Sequence, residues 1–240
     1  MKSGIISIHQ PNLFPRIKVL KKIFNSDIYV CYDDVQYVRN DWQNRVFIRN
    51  YKTQEKSWLS IPVIKPNGQK SKINEIKICE NTSALKMLRK KLYYNYHASL
   101  FWDEMAIYLD EVFKIFESST YLSDFLFDSI EVIKNQFLFE KKVNIVKSSS
   151  INLSFSTEKN MHLIEIIKYY NCNSYICGSG GLNYINEDVF NKNGIDIIVQ
   201  QWNEKSFTKK YSNGEWKNIS FLDFWARYGK KVLIDELGEI

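Results

Sequence analysis

The sequence predicts an α/β fold, a mostly parallel Rossmann-like sheet with an embedded helical region. Three observations point there. Short apolar, β-rich runs alternate with helix-period segments near both ends of the chain, and three helix-period segments follow one another in the middle, at about 83–140. The 240 residues hold 15 Phe, 15 Tyr and 6 Trp against only 9 Gly and 4 Pro, which favours long helices and well-packed strands over a loop-rich fold.

Ile5-Ile6-Ser7-Ile8 reads as a short buried strand, stopped by His9-Gln10-Pro11-Asn12. A helix opens after Pro15, with Ile17, Leu20, Ile23 and Phe24 at helical spacing, and Ser26-Asp27 closes it. Ile28-Tyr29-Val30-Cys31-Tyr32 is a second strand. So short a strand–helix–strand succession implies parallel pairing and puts the His9 loop at the carboxyl edge of the sheet, where open α/β folds bind ligands. Strands are expected next at 45–48, 58–63 and 73–78, then helices at 85–96, 102–116 and 123–137 as an insert or cap. The last third alternates again: a strand at 143–146, a helix at 161–170, a strand at 174–177, a short helix at 187–191, a strand at 195–199 and a final helix at 220–228. Without an internal repeat or a low-complexity linker, the expectation is one α/β domain over residues 1–240.

The chain is 45% hydrophobic and 25% charged, which excludes disorder and a disulfide scaffold. Its formal charge of +6 suits an anionic small substrate such as a nucleotide sugar, or equally a surface of scattered lysines. No basic block is long enough for a nucleic-acid arm, so DNA is not an expected partner. Ile5–Ile8 is too short for a signal peptide, and no stretch nears the ~20 apolar residues of a membrane span. The cysteines Cys31, Cys79, Cys172 and Cys177 form no CxxC, and His9, His97 and His162 have no paired ligand spacing. A soluble cytoplasmic protein with reduced thiols and no metal site is expected.

Four features can carry chemistry. His9, followed by Gln10 and Pro11, places an imidazole at a sheet edge, to move a proton or hold an oxyanion; a core histidine bonded to a backbone carbonyl is the alternative. Asp33-Asp34 ends the second strand, where carboxylates hold a ribose, an amine or a metal, or simply form a loop. Asn44-Arg45 offers an amide and a planar fork for phosphate or carboxylate, against the reading of an edge-strand surface arginine. Gly178-Ser179-Gly180-Gly181, with Tyr184 beyond, can form an anion-binding nest but fits neither the Walker nor the GxGxxG pattern. Cys177 reads as a small buried residue at a strand end rather than a nucleophile.

These segments together resemble the WbqC-like protein family. The matching residues begin with Ile8-His9-Gln10-Pro11-Asn12-Leu13-Phe14-Pro15, Ser26-Asp27, Asp33-Asp34-Val35-Gln36-Tyr37, Asn44-Arg45, Trp58-Leu59 and Ile61-Pro62-Val63. They continue with Leu92, Tyr96, the turn from Tyr175 to Gly181, Tyr184, Phe190, Gly194-Ile195, Tyr211, Ser220-Phe221-Leu222-Asp223 and Gly229. The chain departs from the family pattern at Cys177-Gly178, usually Ser-Gly, and at Arg16-Ile17-Lys18-Val19, commonly Trp-x-Gly-Tyr.

The resemblance implies a component of bacterial surface-polysaccharide (O-antigen) synthesis, an amide-forming transfer of glycine or a small acyl group to an amino sugar or sugar acid. On that reading His9 or Asp34 is the base. Asn44, Arg45 and the glycine turn bind the anionic substrate, together with Gln10, Asp33 and Tyr184. The acyl donor is open: an activated acyl group, ATP-driven activation or an aminoacyl-tRNA. Two other readings stand beside it. One is a non-catalytic nucleotide-sugar-binding or scaffold subunit of the same pathway. The other is a nucleotidylyltransferase of HxGH layout, whose second His this chain lacks.

Overall fold

A computed structural model of the chain describes residues 4–137, 143–152, 156–211 and 215–238. Its centre is a five-stranded, all-parallel sheet in the order β7-β2-β1-β8-β9. Those strands are β1 (Gly4–His9), β2 (Ile28–Cys31), β7 (Asn144–Lys147), β8 (Cys172–Gly178) and β9 (Asp196–Gln200). The register sets His9 opposite Cys31 on one side of β1 and Ser7 opposite Ile176 on the other. The predicted strand–helix–strand opening is therefore present, with α1 (Ile17–Phe24) between β1 and β2.

Side chains alternate across a strand, so each strand feeds two cores. Tyr29 and Cys31 join one cluster with Leu20 and Ile23 of α1, while Ile6, Ile8 and Val30 join the other. The second core holds Ile164 and Ile167 of α5 (Lys159–Tyr169) and Phe190 of α6 (Glu187–Lys192). The first core continues without a break into the helical region and into α8 (Phe221–Gly238). Each large apolar side chain fully buried this way is worth ~1.5–3 kcal/mol.

The helical region is α2 (Asn81–Tyr96), α3 (Trp102–Ser118) and α4 (Leu122–Phe137); the expected insert ended near 140, and residues 138–140 lie outside those described. Asp223, fully buried in α8, ties this region to the β3–β4 hairpin (Arg45–Arg49 and Lys56–Ser60). Its carboxylate accepts the Tyr96 hydroxyl at 2.6 Å and the Arg49 backbone N–H at 3.1 and 3.2 Å. The guanidinium groups of Arg49 and Arg227 stand 3.4 and 3.6 Å from it.

Three expectations need correction. The strand expected at 58–63 is two, because Pro62 lacks an N–H: β4 ends at Ser60, and β5 (Val63–Ile64) pairs instead with β6 (Lys77–Ile78). The strand expected at 73–78 is mostly a 3₁₀ turn, Ile73–Glu75, closed by the Glu75 carboxylate on the Lys72 backbone N–H at 2.8 Å. The final helix runs past 228 to Gly238 through a kink at Gly229. There φ is +82° and a Cβ would come within 2.6 Å of the Phe101 ring, so only glycine fits. A further helix, α7 (Glu204–Lys210), carries no strong apolar period and is started by the Asn203 side chain on the Ser206 N–H at 3.0 Å. No helix among the described residues is long and apolar enough to cross a membrane.

Candidate functional site

The chain lays β2 and β7 on one side of β1, then returns to lay β8 and β9 on the other. The order of winding thus reverses between β1 and β8, and the crevice outside their carboxyl ends is where such sheets take ligands. His9 ends β1 and Gly178 ends β8, so the structure brings the histidine and the glycine turn to the same edge of adjacent strands.

The loop that carries His9 is firmly held. Leu13 N–H donates to the Trp42 carbonyl at 2.9 Å, Phe221 N–H donates to the Pro15 carbonyl at 2.9 Å, and Phe14 is buried with φ of +38°. A non-glycine residue in that region is strained and persists only where its surroundings fix it. His9 Nδ1 lies 2.7 Å from the Gln10 carbonyl, which can only accept, so Nδ1 carries the proton and Nε2 the lone pair. Burial pushes the imidazole well below its ordinary pKa. The charges of Lys22, Arg16 and Lys18 push the same way, against the bond to Gln10. His9 is therefore neutral at pH 7 and able to accept a proton.

Around it, α1 begins at this edge and presents Lys18 and Lys22 one turn apart. Arg16 stacks 4.5 Å over Trp42 and donates to Asn218 Oδ1 at 3.1 Å. Beside them a cleft is lined by Arg16, Lys18, Trp202, Glu204 and Phe207. The Gln200 side chain at the end of β9 donates to the Lys18 carbonyl at 2.9 Å, which fixes α1 to this side of the sheet.

The glycine turn is exposed at Ser179 and Gly180. Gly181 N–H donates back to the Gly178 carbonyl at 2.7 Å. None of its glycines has positive φ, so the alternating-handed backbone of a nest is not formed there. Tyr184 stands 75% exposed beyond it. Burial raises the Cys177 thiol above its ordinary pKa, which keeps it protonated.

Asp33 and Asp34 face partners other than His9. Asp33 is buried and receives the Ser149 N–H at 3.0 Å, the Ser149 hydroxyl at 2.8 Å and the Ser148 hydroxyl at 3.2 Å. Burial raises its pKa while those bonds oppose the rise. It fastens the end of β2 to the turn after β7. Asp34 accepts the Ser148 hydroxyl and lies 3.7 Å from His162 Nε2 on α5, and the Tyr32 hydroxyl is 3.1 Å from His162 Nδ1. The structure thus gives the two candidate bases different neighbours: the charges of Lys22, Arg16 and Lys18 act on His9, whereas Asp34 meets Ser148 in the turn after β7 and His162 of α5.

Gln10 Oε1 accepts the Gln43 amide at 2.7 Å, joining the His9 loop to the segment before β3. Asn44 has both ends of its amide engaged, accepting the Tyr37 hydroxyl at 2.8 Å and donating to the Ile61 carbonyl at 2.9 Å. Arg45 donates to the Asn40 carbonyl and lies 4.1 Å over Trp58. Trp58 in turn packs on Phe47 and Trp42, so Arg45 and Arg16 sit at the two ends of one aromatic patch on the hairpin.

Sequence reading missed Lys22, Arg16, Lys18, Ser148 and His162. Lys22 reads as one lysine among several on a short helix, and its burial comes from tertiary packing. Its signal is a charge flanked on both sides by the apolar positions Val19 and Ile23. His162 and Ser148 meet Asp34 through the sheet order, which no local pattern encodes. Among the described residues no group of three or more His, Cys, Asp or Glu is arranged to hold a metal ion.

The five-stranded parallel sheet, with the half-buried His9 at the end of β1, has the architecture of the doubly wound class, in which ligands are taken at the switch point. A model of the WbqC-like protein family matches residues 10–233, nearly the whole chain, and the protein belongs to that family. It is also 24% identical over 227 residues to an uncharacterized protein of Mycobacterium tuberculosis, a match covering 95% of each chain.

Proposed function

We propose that this single α/β domain is a cytoplasmic transferase that forms an amide between glycine, or another small acyl group, and a nucleotide-linked amino sugar or sugar acid in the synthesis of a bacterial surface polysaccharide. The observation that carries the reading is the neutral His9 at the β1–β8 switch point with Lys22, Arg16 and Lys18 around it. A base and an anion-attracting surface are the two things such a transfer requires.

In the reaction the amine attacks the acyl carbon, the new C–N bond forms, and the bond from that carbon to its leaving group breaks with its electron pair. The proton shed by the amine goes to His9 Nε2. The cations lower the basicity of His9 in the free protein. An anionic substrate beside them offsets that effect and brings the imidazole toward the working range of a base. The acyl group arrives activated, as a product of ATP-driven activation, an acyl carrier or an aminoacyl-tRNA.

The test is mass spectrometry of the purified protein with a panel of amino-sugar and uronic-acid nucleotides, combined with glycine, glycyl-tRNA, acyl-CoA and ATP. The reading expects a product heavier by one acyl residue. Binding of a nucleotide sugar with no product in any combination would instead make the protein a non-catalytic binding subunit.

A further inference from the structure

The β3–β4 hairpin has two unlike faces. Val46, Ile48 and Leu59 are buried in the core, while on the opposite face Arg45, Phe47 and Trp58 are half-buried and Lys56 is exposed. Phe47 stands opposite Trp58 across the two strands, and their rings stack 3.6 Å apart with 26° between the planes. That is contact distance, so no cation fits between the rings and each takes an outer face. Arg45 lies 4.1 Å over Trp58, and Lys56 lies 4.4 Å over Phe47. The four side chains form one column, with Lys56 at one end and Arg45 at the other. Trp42 flanks the column 5.8 Å from Trp58 and carries Arg16 4.5 Å over its own ring.

Charge and shape together select what this surface takes. Among the described residues no carboxylate forms an ion pair with Arg45, Lys56 or Arg16; they donate instead to the Asn40 carbonyl, the Lys217 carbonyl and Asn218 Oδ1. Asp41, whose charge acts on Arg16, is occupied by the Trp42 N–H at 2.8 Å. Three cations without paired acids match an anion. An uncharged sugar would stack on bare ring faces, and here cations cover them. A nucleic-acid strand needs a row of platforms for successive bases, whereas this column has a single planar end, the Arg45 guanidinium. A flat base adds to a guanidinium plane as it does to an aromatic ring. One planar base joined to phosphate fits both conditions.

We infer that this face of the hairpin seats the nucleotide part of the substrate, with the base stacked on Arg45 above Trp58 and the phosphates at Arg16 beside Trp42. The Arg16 end adjoins the His9 loop, since the Trp42 carbonyl accepts the Leu13 N–H at 2.9 Å and the Gln43 amide donates to Gln10 at 2.7 Å. The inference rests on the reading of a nucleotide-linked substrate but not on the transfer reaction.

The experiment is calorimetric titration of the full chain with uridine diphosphate, adenosine diphosphate, inorganic pyrophosphate and a short oligouridylate. The proteins are the wild type, Arg45→Lys, Arg45→Ala and Trp58→Leu, with thermal unfolding to report folding. The inference expects the wild type to bind at least one nucleoside diphosphate more tightly than pyrophosphate. Arg45→Lys keeps the charge and loses the plane, so it weakens nucleotide binding about fivefold or more, the scale of a lost stacking contact, and leaves pyrophosphate affinity unchanged. Equal nucleotide affinity in wild type and Arg45→Lys would overturn it, as would no wild-type binding of either diphosphate. An equal loss for pyrophosphate would make Arg45 an oxyanion contact and overturn the stacking. Oligouridylate bound more tightly than either diphosphate would make the face an RNA surface instead. If Trp58→Leu unfolds, the Arg45 variants decide; unfolding of both of those would make the guanidinium part of the fold and overturn the inference. Arg45-dependent nucleotide binding without product in the transfer assay would uphold the inference while the transfer reading fails.

Discussion

Asp34 Oδ2 lies 3.7 Å from His162 Nε2, joining the end of β2 to α5 across the face of the sheet opposite α1. The Tyr32 hydroxyl meets the other ring nitrogen of His162, and Ser148 holds the other oxygen of Asp34. Burial lowers the His162 pKa below its ordinary value, while Asp34 and then Glu165 raise it. Asp34→Asn removes the larger of the two raising charges. The expected result is a further fall of the His162 pKa, read from the pH titration of its imidazole NMR signals. An unchanged midpoint would show that Asp34 does not act on His162.

The pH dependence of stability follows from Lys22. Its folded pKa is about 8, below the ordinary lysine value near 10.4 of the unfolded chain. Below pH 8 both states carry the proton, and the folded state bears the full cost of burying the charge, on the order of 3 kcal/mol. As pH rises from about 8 toward 10.4 the unfolded state binds more protons than the folded one, so this cost fades. Lys22→Met is expected to raise stability at pH 7 and to lose that advantage as pH approaches 10.4. Urea unfolding of both proteins at pH 7 and pH 10 checks it; a constant difference would contradict the assignment.

Asp223 is fully buried, with the guanidinium groups of Arg49 and Arg227 against it. Asp223→Ala leaves Arg49 and Arg227 buried beside each other and removes the acceptor of the Tyr96 hydroxyl. Breaking a buried pair in this way typically costs ~3–5 kcal/mol. Denaturant unfolding is expected to show a loss of that size, and a loss below about 1 kcal/mol would mean the network adds nothing beyond packing.

The strand–helix–strand opening was legible because Ile5, Ile6 and Ile8 form an unbroken apolar run and Ile17, Leu20 and Ile23 keep a helical period. The three long helices were legible for the same reason. The pairing of Val63–Ile64 with Lys77–Ile78 was not, since two-residue strands have no period to read. In the site, His9 was placed correctly at the sheet edge by chain order alone. Asp33 and Asn44 also drew attention as polar residues beside strands. The structure gives their polar atoms partners within the fold, and hydrogen-bond satisfaction is a property of tertiary contacts. Lys22 escaped notice because its burial is a tertiary property of how α1 packs, and α1 is held in part from the far end of the chain, where the Leu237 carbonyl accepts the Asn25 amide at 2.9 Å.

The central claim is that His9 takes a proton during an acyl transfer at the β1–β8 switch point. The most direct test compares the transfer rate of the wild type with that of His9→Gln, after nucleotide-sugar binding and thermal unfolding have shown the variant to be folded and able to bind. Loss of a positioned general base commonly costs about a hundredfold or more. A variant that binds like the wild type but transfers at least a hundredfold more slowly is the result the account predicts. Transfer at an undiminished rate would contradict it.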